Sequence, residues 1–395
     1  MGLIPLAAAN KTFSMGIKRT YGKTATAIFI VAMLCIVSCT EESDVFVPVP
    51  DTSAPIEFIS TDNPTKGLDE INYDRIKNDD CKFGLFAFWN QEGKRFSNEN
   101  GKSSLYLENR NMEYIDSEGK KNRWRCSPAA YWPFHTWLNF FAYAPYQSTE
   151  TQHPFVLFPS EDYVCGMPRL RFTPPQNVTF QPDFCVSVPC LDVSAADGSV
   201  LMAFHHTLTR VRFYINLKGY KAPEYKYCIT DLTIKGVASS NILTYKEDKE
   251  KPYEWDTIEA SAPKTGTYHL SSAESQLTST PLIFTNELGS EVTGLDRYTY
   301  ANELVNGRLY LLPQKLTSEA KIEVVISVFK TGSSELVSML PPFELALPAS
   351  TEWEEQKTVS YLMTINIENS KESAIEPVIS DWTDSDNIHD EEILE

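Results

Sequence analysis

The chain has 395 residues, of which 42% are hydrophobic and 12% aromatic, and its formal net charge is −18. This composition supplies enough apolar side chains for sizeable cores, and it excludes a globally disordered chain. The strongly acidic balance excludes proteins that bind nucleic acid or anionic membrane surfaces through basic patches.

The first 38 residues have the pattern of a bacterial lipoprotein signal peptide. Four basic residues precede an apolar run at residues 25–37, which is too short to span a bilayer comfortably. The small residue Ser38 then precedes Cys39, as in a lipobox, so we predict cleavage after Ser38 and acylation of Cys39, with palmitate among the acyl chains. Cleavage would leave 357 residues with a net charge of −22. Translation starting at Met1 and translation starting at Met15 both fit this pattern.

Residues 39–54 are predicted to form a tether, because acidic residues are followed by prolines that stiffen the chain. The acidic pair Glu41 and Glu42 fits a surface-export tag and a plain solvated linker equally well.

From Pro55 onward the sequence indicates short strands and turns. Residues 83–89 are apolar on both faces, which predicts a strand buried between two layers. Residues 211–215, 322–328 and 359–367 alternate between apolar and polar, which predicts half-buried strands with one core face. Many short strands with frequent turns are typical of β-sandwiches.

The small, polar stretch at residues 192–199 predicts a boundary between domains. We therefore predict an all-β fold with two β-sandwich domains in tandem, at residues 55–195 and 196–395. The signal peptide at residues 1–38 and the tether at residues 39–54 precede them, and a terminal strand is appended to the second domain.

The sequence contains no motif for catalysis. A nucleophile elbow, a phosphate loop, a dinucleotide fingerprint and a zinc-protease motif are all missing. His205 and His206 are adjacent, but neighbours on a strand point to opposite faces and cannot share an ion. We therefore predict no catalytic residue, no metal site and no cofactor. The six cysteines that follow Cys39 are too sparse for a disulfide scaffold, so most are expected to be buried thiols, and one long-range bridge stays open.

Several segments resemble, in order, the fimbrillin family of Bacteroidales, which includes the Mfa-like and FimA-like pilins. They are Cys39 in its lipobox, residues 64–66, residues 83–88, residues 131–133 with 138–145, residues 181–184, residues 204–213, residues 309–314, Trp353 with Tyr361, and residues 379–382. Each segment is short, but together they cover nearly the whole chain after Cys39.

The resemblance implies two transthyretin-like sandwiches and a structural or adhesive subunit of fimbriae on the cell surface. Lipid on Cys39 would hold the subunit at the outer membrane. The implied partners are other fimbrial subunits, of the same or a different kind, and ligands on host or bacterial surfaces.

The resemblance also implies assembly by donor-strand exchange, in which a protease removes the first strand and a strand of another subunit fills the groove. Residues 56–59 would be the removable strand, and Lys66 or Arg75 the cleavage site, unless these are ordinary basic loop residues. The donor strand would be residues 359–367 or, in our preferred assignment, a carboxyl-terminal set. That set is Val378, Ile379, Trp382 and Ile388.

Two other classes of function stay open at this point. A surface glycan-binding lipoprotein of a nutrient-uptake system would need an exposed aromatic platform, for example around Trp89, Trp124 or Trp255. A secreted hydrolase on a β scaffold would need a cleft with paired carboxylates.

Overall fold

The computed structural model describes residues 50–60, 82–90, 96, 104–117, 120–134, 136–151, 155–157, 167–219, 224–258, 265–270, 282–283, 298–302 and 309–382. All of them belong to one unit of the chain, Val47–Glu395. Cys39, Lys66, Arg75 and Ile388 lie outside the described residues, so the roles predicted for them stay predictions. A search of the described residues finds no helix of the length and apolarity that crossing a membrane requires.

Strands are the dominant secondary structure of the described residues, which confirms the predicted all-β class. In chain order the strands are β1 (Pro50–Pro55), β2 (Phe58–Ser60), β3 (Gly84–Trp89), β4 (Ser104–Ser117), β5 (Lys120–Cys126), β6 (Tyr131–Pro133), β7 (Leu138–Ala144), β8 (Val156–Leu157), β9 (Arg169–Phe172), β10 (Cys185–Ser187), β11 (Cys190–Val193), β12 (Val200–Met202), β13 (Phe204–His206), β14 (Thr209–Lys218), β15 (Tyr225–Val237), β16 (Asn241–Tyr245), β17 (Tyr253–Trp255), β18 (Gly266–His269), β19 (Leu282–Ile283), β20 (Thr299–Tyr300), β21 (Tyr310–Leu311), β22 (Gln314–Lys315), β23 (Lys321–Lys330), β24 (Leu336–Met339), β25 (Phe343–Ala346), β26 (Glu352–Trp353), β27 (Lys357–Asn366) and β28 (Ala374–Asp381). Short 3₁₀ helices lie at Val178–Phe180, Ala195–Asp197 and Ser370–Glu372.

A nine-stranded sheet occupies the first half of the described chain. Its order is β12-β2-β5-β4-β3-β7-β10-β13, and β11 also pairs with β7. The long strand β4 changes partner along its length, from β3 at residues 104–111 to β5 at residues 112–117. Side chains from the strands on both sides of this change of partner, β3 with β7 and β5 with β2, share one core. In this core the rings of Phe58 and Phe140 meet edge to face at 5.3 Å.

Strand β3 is buried on both faces, which confirms its prediction. Leu85 and Ala87 belong to the core just described, whereas Phe86 and Phe88 belong to a second core. That second core also takes side chains from a four-stranded sheet of order β17-β16-β9-β8. The strand is therefore covered by a layer on each side, as its run of apolar residues requires.

The later strands build two further sheets that share one core. A five-stranded sheet has the order β20-β14-β27-β28, with β21 also on β14. A six-stranded sheet has the order β18-β15-β23-β24, with β19 on β15 and β25 on β23. The predicted core faces of β14, β23 and β27 meet in a third core, where the rings of Phe213 and Tyr361 stack at 5.4 Å.

The prediction of a single core face was wrong for the first part of β27, where Thr358, Ser360 and Leu362 are buried as well, and for nearly the whole of β14. Every residue of this strand from Thr209 to Leu217 is buried, including Arg210, Arg212 and Tyr214 on the face that alternates with the core. The physical reason is that aromatic side chains cover this second face: Tyr300 packs on Tyr214, and Trp382 covers Arg210.

Strands on the two sides of residue 195 pair with one another. Strand β12 runs parallel to β2, and β13 pairs with β10. Strand β16, still later in the chain, pairs with β9. The polar stretch that predicted a boundary forms the 3₁₀ helix Ala195–Asp197, and the division at residues 195 and 196 stays a prediction.

Candidate functional site

The carboxyl-terminal strand β28 forms one edge of the five-stranded sheet. It pairs antiparallel with β27 in a continuous register from Ala374 opposite Thr364 to Asp381 opposite Lys357. Its other side pairs with no strand of the described residues. Pro377 fits this place, because proline lacks a backbone N–H and is confined largely to edge strands. Strand β27, the other predicted donor, lies between β14 and β28.

The predicted donor residues differ in their burial. Ile379 is 50% exposed and Val378 is half-buried, whereas Trp382, directly after β28, is only 5% exposed. The strand thus lies on the surface while its end is inserted into the protein.

Trp382 is held by stacking on two other rings. Its indole stacks on the imidazole of His206, with ring centres 4.5 Å apart, and on the ring of Tyr310, with ring centres 5.5 Å apart. The guanidinium of Arg210 lies 5.0 Å from the indole centre, within the range of a cation–π interaction. The backbone N–H of Trp382 donates to the carbonyl of Gln356 at 3.1 Å. Sequence reasoning selected Trp382 but gave no indication of this stack.

The segment under Trp382 is fixed by hydrogen bonds from the four-stranded sheet. The Tyr253 hydroxyl donates to the carbonyl of His206, and Trp255 Nε1–H donates to the carbonyl of Thr207, both at 2.9 Å. Burial raises the pKa of Tyr253, so its hydroxyl stays protonated and available as a donor. Trp382 therefore packs on a segment that side chains of another sheet also hold in place.

An ionisable cluster that sequence reasoning missed lies beside this stack. Residues Cys185 and His206 face each other across the β10–β13 pair, and Asp183 lies two residues before Cys185. His206 Nδ1 is 2.9 Å from a carboxylate oxygen of Asp183 and 3.4 Å from Cys185 Sγ. Sequence spacing gave one weak signal, the Asp-x-Cys pair, but only the strand register brings His206 to it.

The two adjacent histidines occupy different environments. His206 is buried, whereas His205 is half-buried. Burial, with a smaller contribution from His206, lowers the pKa of His205. Sequence reasoning paired His206 only with His205 and missed its partners at the neighbouring strand β10, Asp183 and Cys185.

The predicted removable strand lies inside the nine-stranded sheet. Strand β2 lies between β12 and β5, so it has partners on both sides. Ile56 and Phe58 are buried in the first core, while Glu57 between them forms an ion pair with Arg123. Residues 56–59 thus place alternate side chains in the core, as a strand that plugs a groove would.

The tryptophans named for a glycan platform do not form an exposed surface. Trp89 and Trp124 are buried in the first core. Trp255 is half-buried, and its indole N–H donates to the main chain. These side chains do not support the glycan-binding alternative.

Comparison with known proteins identifies the family. The model of the fimbrillin-like family matches residues 73–382, more than half of the chain. A fimbrial protein from Bacteroides vulgatus has a similar crystal structure, with a TM-score of 0.59 and 18% sequence identity, covering 83% of this chain and 99% of that chain. A candidate cell-adhesion protein from Bacteroides uniformis aligns with a TM-score of 0.42 and 12% identity, covering 84% of this chain and 99% of that chain. A search of curated proteins finds no match. By the family match, this chain belongs to the fimbrillin-like family.

Proposed function

We propose that this protein is a structural and adhesive subunit of cell-surface fimbriae. It is exported as a lipoprotein that carries its lipid on Cys39, and it assembles with other subunits by exchange of a β-strand. The family supports the fimbrial part of this proposal. The placement of β2 is the observation that carries the strand-exchange part.

Strand β2 has the properties of a strand that another subunit can replace. It is short, it precedes Lys66 and Arg75 in the sequence, and its partner β5 would still be paired with β4 without it. Removal of residues 56–60 would uncover the pockets of Ile56 and Phe58 and the backbone edges of β5 and β12. Such a groove offers hydrogen bonds along its whole length and two apolar pockets that recognise alternate side chains.

Strand β28 has the properties of a donor. It forms an edge, it keeps its residues largely exposed, and its loss would leave β27 still paired with β14. Residues 359–367 are a poorer choice, because withdrawing β27 would break a nine-residue parallel pairing with β14.

The test is the state of the protein on its native cell surface. We expect material that begins at Gly67 or at Ile76, the residues that directly follow Lys66 and Arg75, together with a heat-labile, detergent-resistant ladder of oligomers. The variant Lys66→Ala should abolish the ladder if cleavage occurs there, and Arg75→Ala serves as the matched comparison. Protein that starts only at lipidated Cys39, with no cut form and no ladder, would refute processing and exchange.

A further inference from the structure

The cluster of Asp183, Cys185 and His206 has the composition of a transition-metal site. Its three ligand atoms, a carboxylate oxygen, Cys185 Sγ and a His206 ring nitrogen, lie within 4.8 Å of one another. Carboxylate, thiolate and imidazole are the three side-chain groups that bind Zn²⁺ in proteins. Three different donor groups in one cluster indicate a transition-metal site more specifically than a group of acidic residues does.

The distances between the donor atoms are close to those of a tetrahedral site. With Zn–S of about 2.3 Å and Zn–N and Zn–O of roughly 2.1 Å, donor atoms around Zn²⁺ lie roughly 3.3–3.6 Å apart. The observed separations are 3.4 Å from Cys185 Sγ to His206 Nδ1, 3.8 Å from Sγ to Asp183 Oδ1, and 2.9 Å from Nδ1 to Oδ1. An ion would thus require only small shifts of the side chains.

The burial and charge of the cluster also favour a divalent cation. The side chains of His206 and Asp183 are 0% and 7% exposed, and Cys185 is fully buried. Burying a carboxylate is costly unless its charge is compensated. One divalent ion with the Asp183 carboxylate, a Cys185 thiolate and neutral His206 has a net charge of zero, and the thiol proton leaves to solvent on binding.

The backbone holds these ligands in fixed positions. Cys185 and His206 are direct partners in an antiparallel ladder, and the hydroxyl of Thr207 donates to the carbonyl of Phe184 at 2.6 Å. Trp382 stacks on the face of the His206 ring, which fixes the ring plane. Such outer contacts orient metal ligands and are a regular part of metal sites.

The geometry points to a site for one Zn²⁺-class transition-metal ion, bound by Asp183, Cys185 and His206. The site ties β10 to β13 beneath Trp382, so it stabilises the surface on which the end of β28 packs. Metal binding at this site does not depend on strand exchange.

The experiment is a titration of the metal-free full-length protein with Co²⁺, which reports thiolate ligation by a charge-transfer absorption that a carboxylate–imidazole site lacks. We expect one equivalent to bind with this band, and Zn²⁺ to displace it. Cys185→Ser should remove the band, and Asp183→Asn and His206→Asn should each weaken binding at least tenfold. Cys228→Ser is the matched control, because Cys228 is a buried thiol of another sheet.

Circular dichroism of each variant establishes that it is folded, and Asp183→Asn decides the outcome if Cys185→Ser does not fold. The absence of Co²⁺ and Zn²⁺ binding by the wild-type protein would overturn the proposal and leave a hydrogen-bonded His–Asp pair. Unchanged binding in folded Cys185→Ser or Asp183→Asn would overturn it as well.

Discussion

At the scale of single residues, one tyrosine connects β3, β4 and β7 of the nine-stranded sheet. Tyr143 packs over Gly84, its partner across the β3–β7 pair, where a Cβ would come within 2.3 Å of the tyrosine ring. Its hydroxyl donates to the side chain of Asn109 at 2.7 Å. Asn109 has a φ of 38°, and it lies in β4 close to the point where that strand changes partner. The glycine of the aromatic strand is therefore required for close approach of a ring.

We expect Tyr143→Phe to destabilise the protein by about 1–3 kcal/mol, because it leaves the buried amide of Asn109 without its donor. The measurement is the free energy of unfolding from urea denaturation. Tyr225→Phe is the control, since Tyr225 is exposed and should change stability by less than about 0.5 kcal/mol. Equal stability of Tyr143→Phe and the wild-type protein would contradict this role.

Two thiols, the buried Cys126 and the half-buried Cys190, give a second prediction at this scale. Burial raises the pKa of Cys126 to about 12 and that of Cys190 to about 11. Thiolate is the reactive form, so at pH 8 only roughly one part in ten thousand of Cys126 is reactive. We expect iodoacetamide to leave both cysteines unmodified in the native protein and to modify both in denaturant, as mapped by peptide mass spectrometry. If native Cys126 reacted with iodoacetamide as fast as it does in denaturant, the burial of this thiol would be contradicted.

At the scale of elements, β28 combines an exposed strand with a buried end. Trp382→Ala removes the stack on His206 and Tyr310, and we expect it to lower stability by about 3–5 kcal/mol, as large-to-small substitutions of buried aromatics do. Ile379→Ala on the same strand should cost less than about 1 kcal/mol, because Ile379 is half exposed. Chemical denaturation of both variants provides the comparison. Similar losses in the two variants would mean that Trp382 does not anchor the strand.

Sequence patterns predicted the strands well where the hydrophobic pattern of the strand itself decided which side chains are buried. Hydrophobic alternation located the core faces of β23 and β27, and the double-sided apolar run located β3. The same reasoning failed for β14, because the burial of Arg210 depends on Trp382, which lies 172 positions later in the sequence. It also missed the cluster at Cys185 and His206, since a ladder register is not encoded in local spacing.

At the scale of the whole molecule, the chain repeatedly returns to sheets that it began earlier. Strand β12 closes beside β2, β16 pairs with β9, and Trp382 packs on His206 near the end of the described chain. Composition predicted a boundary at residue 195 because a polar turn there resembles a linker. Such a turn is equally suited to reversing the chain within a sheet. Only the pairing of strands far apart in the sequence distinguishes a reversal of this kind from a linker between domains.

This arrangement makes β2 the element whose replacement is easiest to test. In a full-length variant with a specific protease site in place of residues 61–66, cutting leaves β2 bound only by its pairing and packing. We expect a labelled peptide of residues 50–60 to replace it slowly, as measured by fluorescence anisotropy. A peptide with Phe58→Ala should bind roughly 10²–10⁴-fold more weakly, because the empty pocket costs about 3–5 kcal/mol. The Ile59→Ala peptide is the matched control, since Ile59 is only half-buried, and it should bind within about tenfold of the unmodified peptide. Equal binding of the Phe58→Ala and unmodified peptides, or no exchange after cutting, would contradict the groove that strand exchange requires.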